Sequence, residues 1–136
     1  MNFFEQQMRQ MFGSTDMIKD AKFVGKTMLG KLDDDLRVKL EFIPTEISNQ
    51  FNAIRATFIN RTDGVIDKQT FRFADIIGMY RHKSGSLMEP HMWSYQNDPS
   101  WYTPITLEQK AKIADTVLDY VSLYQGEDQS MGVQTM

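Results

Sequence analysis

The spacing of hydrophobic positions along the chain begins helical, turns to alternation, loses its period and becomes helical again. Phe3, Phe4, Met8, Met11 and Phe12 recur near helical spacing and stop at Gly13, a residue suited to a helix C-terminus. They predict a short amphipathic helix over 2–12. Residues 21–32 alternate imperfectly, Asp33, Asp34 and Asp35 supply turn chemistry, and residues 36–43 alternate cleanly with Leu36, Val38, Leu40 and Phe42 on one side. That pattern is a hairpin. Pro44 to Gln50 reads as a connection, and a third strand follows with Ile54, Ala56 and Phe58 on the inner face. Asp63-Gly64 marks a second hairpin turn into a fourth strand, with Val65, Phe71 and Phe73 inward and Asp67 and Gln69 nearer its wet end.

Beyond Gly78 the period disappears as far as Tyr102, which predicts an irregular loop of a length usually reserved for function or mobility. A last helix begins either at Thr103-Pro104 or with Thr106 as cap and Gln109 three residues on. Ala114, Val117, Leu118, Val121 and Tyr124 give it one apolar face through about Gln125. The expected fold is α+β: an N-terminal helix, a four-stranded antiparallel meander sheet, a long aromatic loop and a C-terminal helix packed on the sheet. One domain is expected over 1–125, followed by a flexible tail over 126–136.

Composition narrows the class. A chain of 136 residues, 41% hydrophobic and 24% charged, resembles ordinary globular proteins and is large enough for one core. Its apolar runs are a few residues long, against the ~20 that a membrane helix requires. The start, MNFFEQQMRQMFG, has glutamate, arginine and glutamines where a secretory signal has a continuous apolar stretch, so a cytoplasmic location is expected. Without cysteine there is neither disulfide nor thiolate metal site. Net charge is only −3, but it is unevenly spread. Residues 1–83 hold thirteen Lys or Arg against eleven Asp or Glu, and residues 84–136 hold two against seven.

Two stretches carry candidate chemistry. Alternation along the strands sends Lys22, Lys26, Arg37, Lys39, Arg55, Lys68 and Arg72 to the face opposite the apolar residues, with Glu41 among them. A basic sheet face of this kind is a candidate nucleic-acid surface built on Lys26, Arg37, Lys39, Arg55, Lys68 and Arg72, although it lacks the outward aromatics on which open-sheet binders stack bases. The second stretch, EPHMWSYQNDPSWYTP at 89–104, gathers His91, Trp93, Tyr95, Trp101 and Tyr102. Amphipathic aromatics so concentrated either anchor a protein partner or fold back as a lid over the core.

Other chemistries find less support. The only histidines, His82 and His91, lack the paired spacing of a metal site, and Asp33-Asp34-Asp35 lacks the glycine and distal glutamate of a calcium loop. Ser86, His91 and Asp98 include the residue types of a triad without a nucleophile elbow, and the glycines are too scattered for a phosphate loop. The sequence predicts no cofactor, no metal and no catalytic residue.

Several runs carry a resemblance: FVGK at 23–26, LDDDLRVKLEF at 32–42, NRTDGVIDKQTFRFADIIG at 60–78, PHMW at 90–93 and WY at 101–102. Together they resemble an uncharacterised family of small accessory proteins encoded on integrative conjugative elements of gut Gram-positive bacteria. The likeness covers about residues 20–125; the chain departs from the family after Gly25 and at 79–88. It implies an accessory protein of a mobile genetic element, acting in transfer, in maintenance or against host defences. The expectation is therefore a non-catalytic module that binds a protein partner through the aromatic stretch. Its alternative is a nucleic-acid binder using the basic sheet face, and a small hydrolase or metal enzyme comes third.

Overall fold

The structure, a computed structural model, describes residues 3–46, 50–93 and 105–133. Helix α1 spans Phe3–Phe12, with Met8, Met11 and Phe12 buried and the Glu5–Arg9 ion pair, 2.9 Å, on its outer side. It ends at Gly13, whose N–H donates to the Arg9 carbonyl at 2.9 Å. Five antiparallel strands follow: β1 (Lys19–Val24), β2 (Thr27–Lys31), β3 (Leu36–Pro44), β4 (Gln50–Asn60) and β5 (Gly64–Arg72), side by side in chain order.

The expected meander is present with one strand more than the four anticipated. The run 21–32 folds back on itself at Gly25-Lys26, so that Val24 and Thr27 face each other across a two-residue loop. Gly25 takes φ +58 there, a conformation that glycine adopts without steric cost. The imperfect alternation of that stretch is the signature of two short strands. The next turns are closed by side chains: Asp33 Oδ1 accepts from the N–H groups of Asp35 and Leu36, both at 2.8 Å, and Asn60 Oδ1 accepts from those of Thr62 and Asp63.

A second correction concerns β5. The register slips by one residue between Phe58 and Ile59 of β4, so Phe58 pairs with Asp67 while Ile59 pairs with Val65. Val65, expected inside, is therefore 56% exposed on the outer face, while Asp67 keeps the inner parity of Phe71 and faces the helices. Phe73 is fully buried as expected, yet it opens a short helix, α2 (Phe73–Ile77), rather than extending the strand.

The expected irregular stretch contains local order: a small hairpin of β6 (Tyr80–Arg81) and β7 (Leu87–Met88), and β8 (Met92–Trp93), which pairs with the start of β4. Helix α3 spans Leu107–Val133, running past the Gln125 expected as its end. Its start realises the second of the two anticipated caps. Thr106 Oγ1 accepts from the Gln109 N–H at 3.1 Å, and Gln109 Oε1 accepts from the Thr106 N–H at 3.0 Å. Thr103 and Pro104 lie outside the described residues. The inner sheet face, Val38, Leu40, Phe42, Ile54, Ala56 and Phe58, is fully buried together with Met8, Phe12, Ile113, Val117 and Val121. Both long helices lie on this one side, and among the described residues neither covers the other side of the sheet. None of the helices of the described residues is long and apolar enough to cross a membrane.

Candidate functional site

Residues paired directly across antiparallel strands point to the same face, so register alone maps the open side of the sheet. One row crosses all five strands as Lys22, Leu29, Lys39, Thr57 and Lys68. Beside it runs a row of Thr27, Glu41, Arg55 and Thr70, and on its other flank lie Lys31, Arg37 and Ile59. Arg72, opposite Ala53, closes the far end. The face is thus strongly basic, with Glu41 the single carboxylate among these paired strand positions.

The structure brings together Arg37, Lys39, Arg55, Lys68 and Arg72 of the sequence-predicted set and removes Lys26. That lysine occupies the β1–β2 turn, where its Nζ lies 5.7 Å from the Phe51 ring, itself packed against Phe4 of α1 on the helix side. Lys31 takes its place on the basic face. Alternation carried unbroken through 21–32 hides Lys31, and splitting that stretch at Gly25 restores its parity.

Several of these cations are held by neighbours. Lys39 lies 3.9 Å from Glu41, Lys31 lies 3.7 Å from Asp20, and Arg37 donates to the Asp33 carbonyl at 3.4 Å. Contacts this long between exposed groups are weak and screened by salt, so they leave most of the local positive field in place. Arg55 Nε donates to Thr70 Oγ1 at 3.2 Å, which draws the guanidinium across toward β5. Arg72 donates to Glu89, whose hydrogen bond and charge hold the guanidinium above its already high pKa. Lys22 and Lys68 have no acidic partner among the described residues.

Two depressions mark the ends of the face. One of about 600 Å³ is lined by Lys22, Leu29, Lys31 and Arg37. The other, about 900 Å³, lies between the sheet end and the β6–β7 hairpin, with Asn52, Thr70, Arg72, Glu89 and His91 on its walls and the exposed Met79 and Leu87 beside them.

The aromatic stretch is tied in at its beginning. His91 is only 3% exposed, with Nδ1 3.1 Å from the Glu89 carbonyl oxygen, and the buried Met92 pairs with Phe51. Backbone pairing of Trp93 with Gln50 continues that attachment. The Trp93 side chain, Tyr95, Trp101 and Tyr102 lie outside the described residues, as does Asp98. Ser86 and His82 sit together in the β6–β7 hairpin, where His82 Nδ1 is 2.9 Å from Ser84 Oγ. Among the described residues no three His, Asp or Glu side chains gather closely enough to hold a metal.

A polar cluster that sequence reading did not anticipate lies on the helix side. Asp67 accepts hydrogen bonds from the hydroxyls of both Tyr120 and Tyr124, the latter at 2.5 Å, and Tyr124 stacks on Phe58 with ring centroids 4.1 Å apart. The Tyr120 and Tyr124 hydroxyls hold the Asp67 carboxyl below its ordinary pKa. In return the carboxylate raises Tyr120, while burial and then the carboxylate raise Tyr124. This cluster fastens α3 to β5. The signal for it was the i, i+4 tyrosine pair, legible only once Asp67 is known to face inward.

Comparison with known proteins found no matching family model and no significant match to a curated protein or a solved structure.

Proposed function

We propose that the protein is a non-catalytic binding module whose open, basic sheet face takes the phosphate backbone of a nucleic acid. The observation that carries this reading is the cross-strand register, which gathers Lys22, Lys31, Arg37, Lys39, Arg55 and Lys68 on a face that the helices leave uncovered. A regular array of cations at the strand spacing of ~4.8 Å suits repeated anionic groups better than one small ligand. The outward positions of β1 to β5 paired across the sheet hold no aromatic ring, so on these strands backbone charge and shape, not base stacking, supply the affinity. In the mobile-element setting implied by the resemblance, such a module serves transfer or maintenance of the element.

Fluorescence anisotropy with a labelled 20-base-pair duplex tests this across a salt series. Affinity is expected to fall steeply with salt, and the triple variant Lys22→Gln, Arg37→Gln, Lys68→Gln to lower the logarithmic slope by about 2 to 3. Absence of binding at low salt would remove the proposal.

A protein partner is the second reading, favoured by one observation. Met79 and Leu87, 49% and 59% exposed, stand beside the 900 Å³ depression, and unpaired apolar side chains at a groove are typical of interface anchors. Leu87→Glu separates the two readings, since it disables protein capture and leaves duplex binding intact.

A further inference from the structure

At the middle of the basic face lies a group that the sheet itself does not explain. Thr57 is only 2% exposed, and its Oγ1 is buried with no hydrogen-bond partner. A buried hydroxyl without a partner is destabilising, and valine has the same shape and an equal liking for strands. What distinguishes threonine here is the hydrogen bond it has yet to make. Its cross-strand neighbours are Lys39 on one side and Lys68 on the other, each about 5 Å away at the backbone. Arg55 stands two residues along the same strand and the same face, oriented by Thr70.

We propose that Thr57, Lys39 and Lys68 form a phosphodiester subsite at the centre of the face, an inference that rests on the nucleic-acid reading above. The Thr57 hydroxyl donates to one non-bridging oxygen, and the two ammonium groups approach the anion from either side. Lysine suits the flanking positions, because its flexible stem lets the charged end swing aside to admit the phosphate and then close on it. A neutral hydroxyl beneath two point charges gives the face a fixed register for one phosphate, which a charged surface alone lacks. The remaining cations, Arg37, Lys31 and Lys22, then fall where the backbone continues across β3, β2 and β1.

The test separates the hydroxyl from the charges. Thr57→Val removes one donor without changing shape, so the melting temperature is expected to hold or rise. Duplex affinity at fixed low salt should weaken about tenfold or more, because a hydrogen bond to a charged group is lost. The salt slope should stay unchanged, since no cation has been removed, whereas Lys39→Gln or Lys68→Gln each lowers it by about 1. Thr57→Ser is expected to restore most of the affinity. Equal affinity of the parent and Thr57→Val would overturn the subsite and leave the basic-face reading standing. If the parent binds no duplex, that broader reading fails, and titration with inorganic phosphate decides the subsite alone. A Thr57 methyl resonance that moves with phosphate in the parent and not in Lys39→Gln, Lys68→Gln supports it, and an unmoved resonance overturns it.

Discussion

At the scale of single residues, the fold depends on positions whose importance is invisible in hydropathy. Gly30 of β2 lies on the inner face opposite Val38, and a Cβ there would come within 2.3 Å of Ile18 Cγ2 and 3.1 Å of the Lys19 carbonyl oxygen. Gly30→Ala is therefore expected to destabilise the domain by about 1 to 3 kcal/mol through overpacking, readable in denaturant melts. Asp67 makes a different prediction. Its folded pKa is lowered, chiefly by Tyr120 and then by Tyr124, so its contribution is complete above the ordinary carboxylate value of ~4 and is lost as pH falls through and below that value. The tyrosines, whose pKa values are raised, contribute below ~10 and lose that contribution as pH climbs beyond it. Melting temperatures of the parent and Asp67→Asn should differ most near neutrality and converge in acid. Alternation from Phe71 keeps Asp67 on the inner side, nearer its wet end, but carries no sign of the bulge that turns Val65 outward. The extra residue is Ile66, two past Gly64, and a bulge of one residue is where period-two reasoning fails.

At the scale of elements, legibility tracks the strength of local signals. The clean alternation of β3, inward at Leu36, Val38, Leu40 and Phe42, appears residue for residue in the burial of that strand. The Thr106–Gln109 capping box was likewise readable as a pair of residues three apart. Strands β6, β7 and β8 were not, since elements of two residues have no period to detect and form only because a neighbour offers hydrogen bonds. Helix α3 supplies a graded test of these elements. Thr106→Ala removes the side-chain half of the cap and should cost about 1 kcal/mol, shifting the melt without changing the fold. Val117→Asp puts an unpaired charge at a position with 0% exposure, between α3 and the sheet, and is expected to unfold the domain, seen as loss of the cooperative thermal transition. A folded Val117→Asp variant would mean that α3 does not hold this packing face.

At the scale of the whole molecule, the meander separates two jobs by side. One face of the sheet is sealed by α1 and α3, and the other carries cations gathered from strands far apart in sequence, which is why net charge, at −3, concealed them. The basic face was legible in outline, because alternation is robust within each strand. Its exact membership, Lys31 in and Lys26 out, required the Gly25 turn. A polyanion bound to this face should stabilise the folded protein alone, since unfolding disperses the cations over the chain. At a duplex concentration a hundredfold above Kd, linkage gives about 2.7 kcal/mol of added stability, which for a domain of this size raises the melting temperature by roughly 5 to 10 °C. The shift should vanish at ~0.5 M salt, where screening and counterion competition remove the attraction, and it should shrink in Lys22→Gln, Arg37→Gln, Lys68→Gln. Leu87→Glu, beside the second depression, should retain the full shift. A shift that survives high salt would instead point to apolar contacts and to the groove beside Met79 and Leu87, reversing the assignment of the binding face.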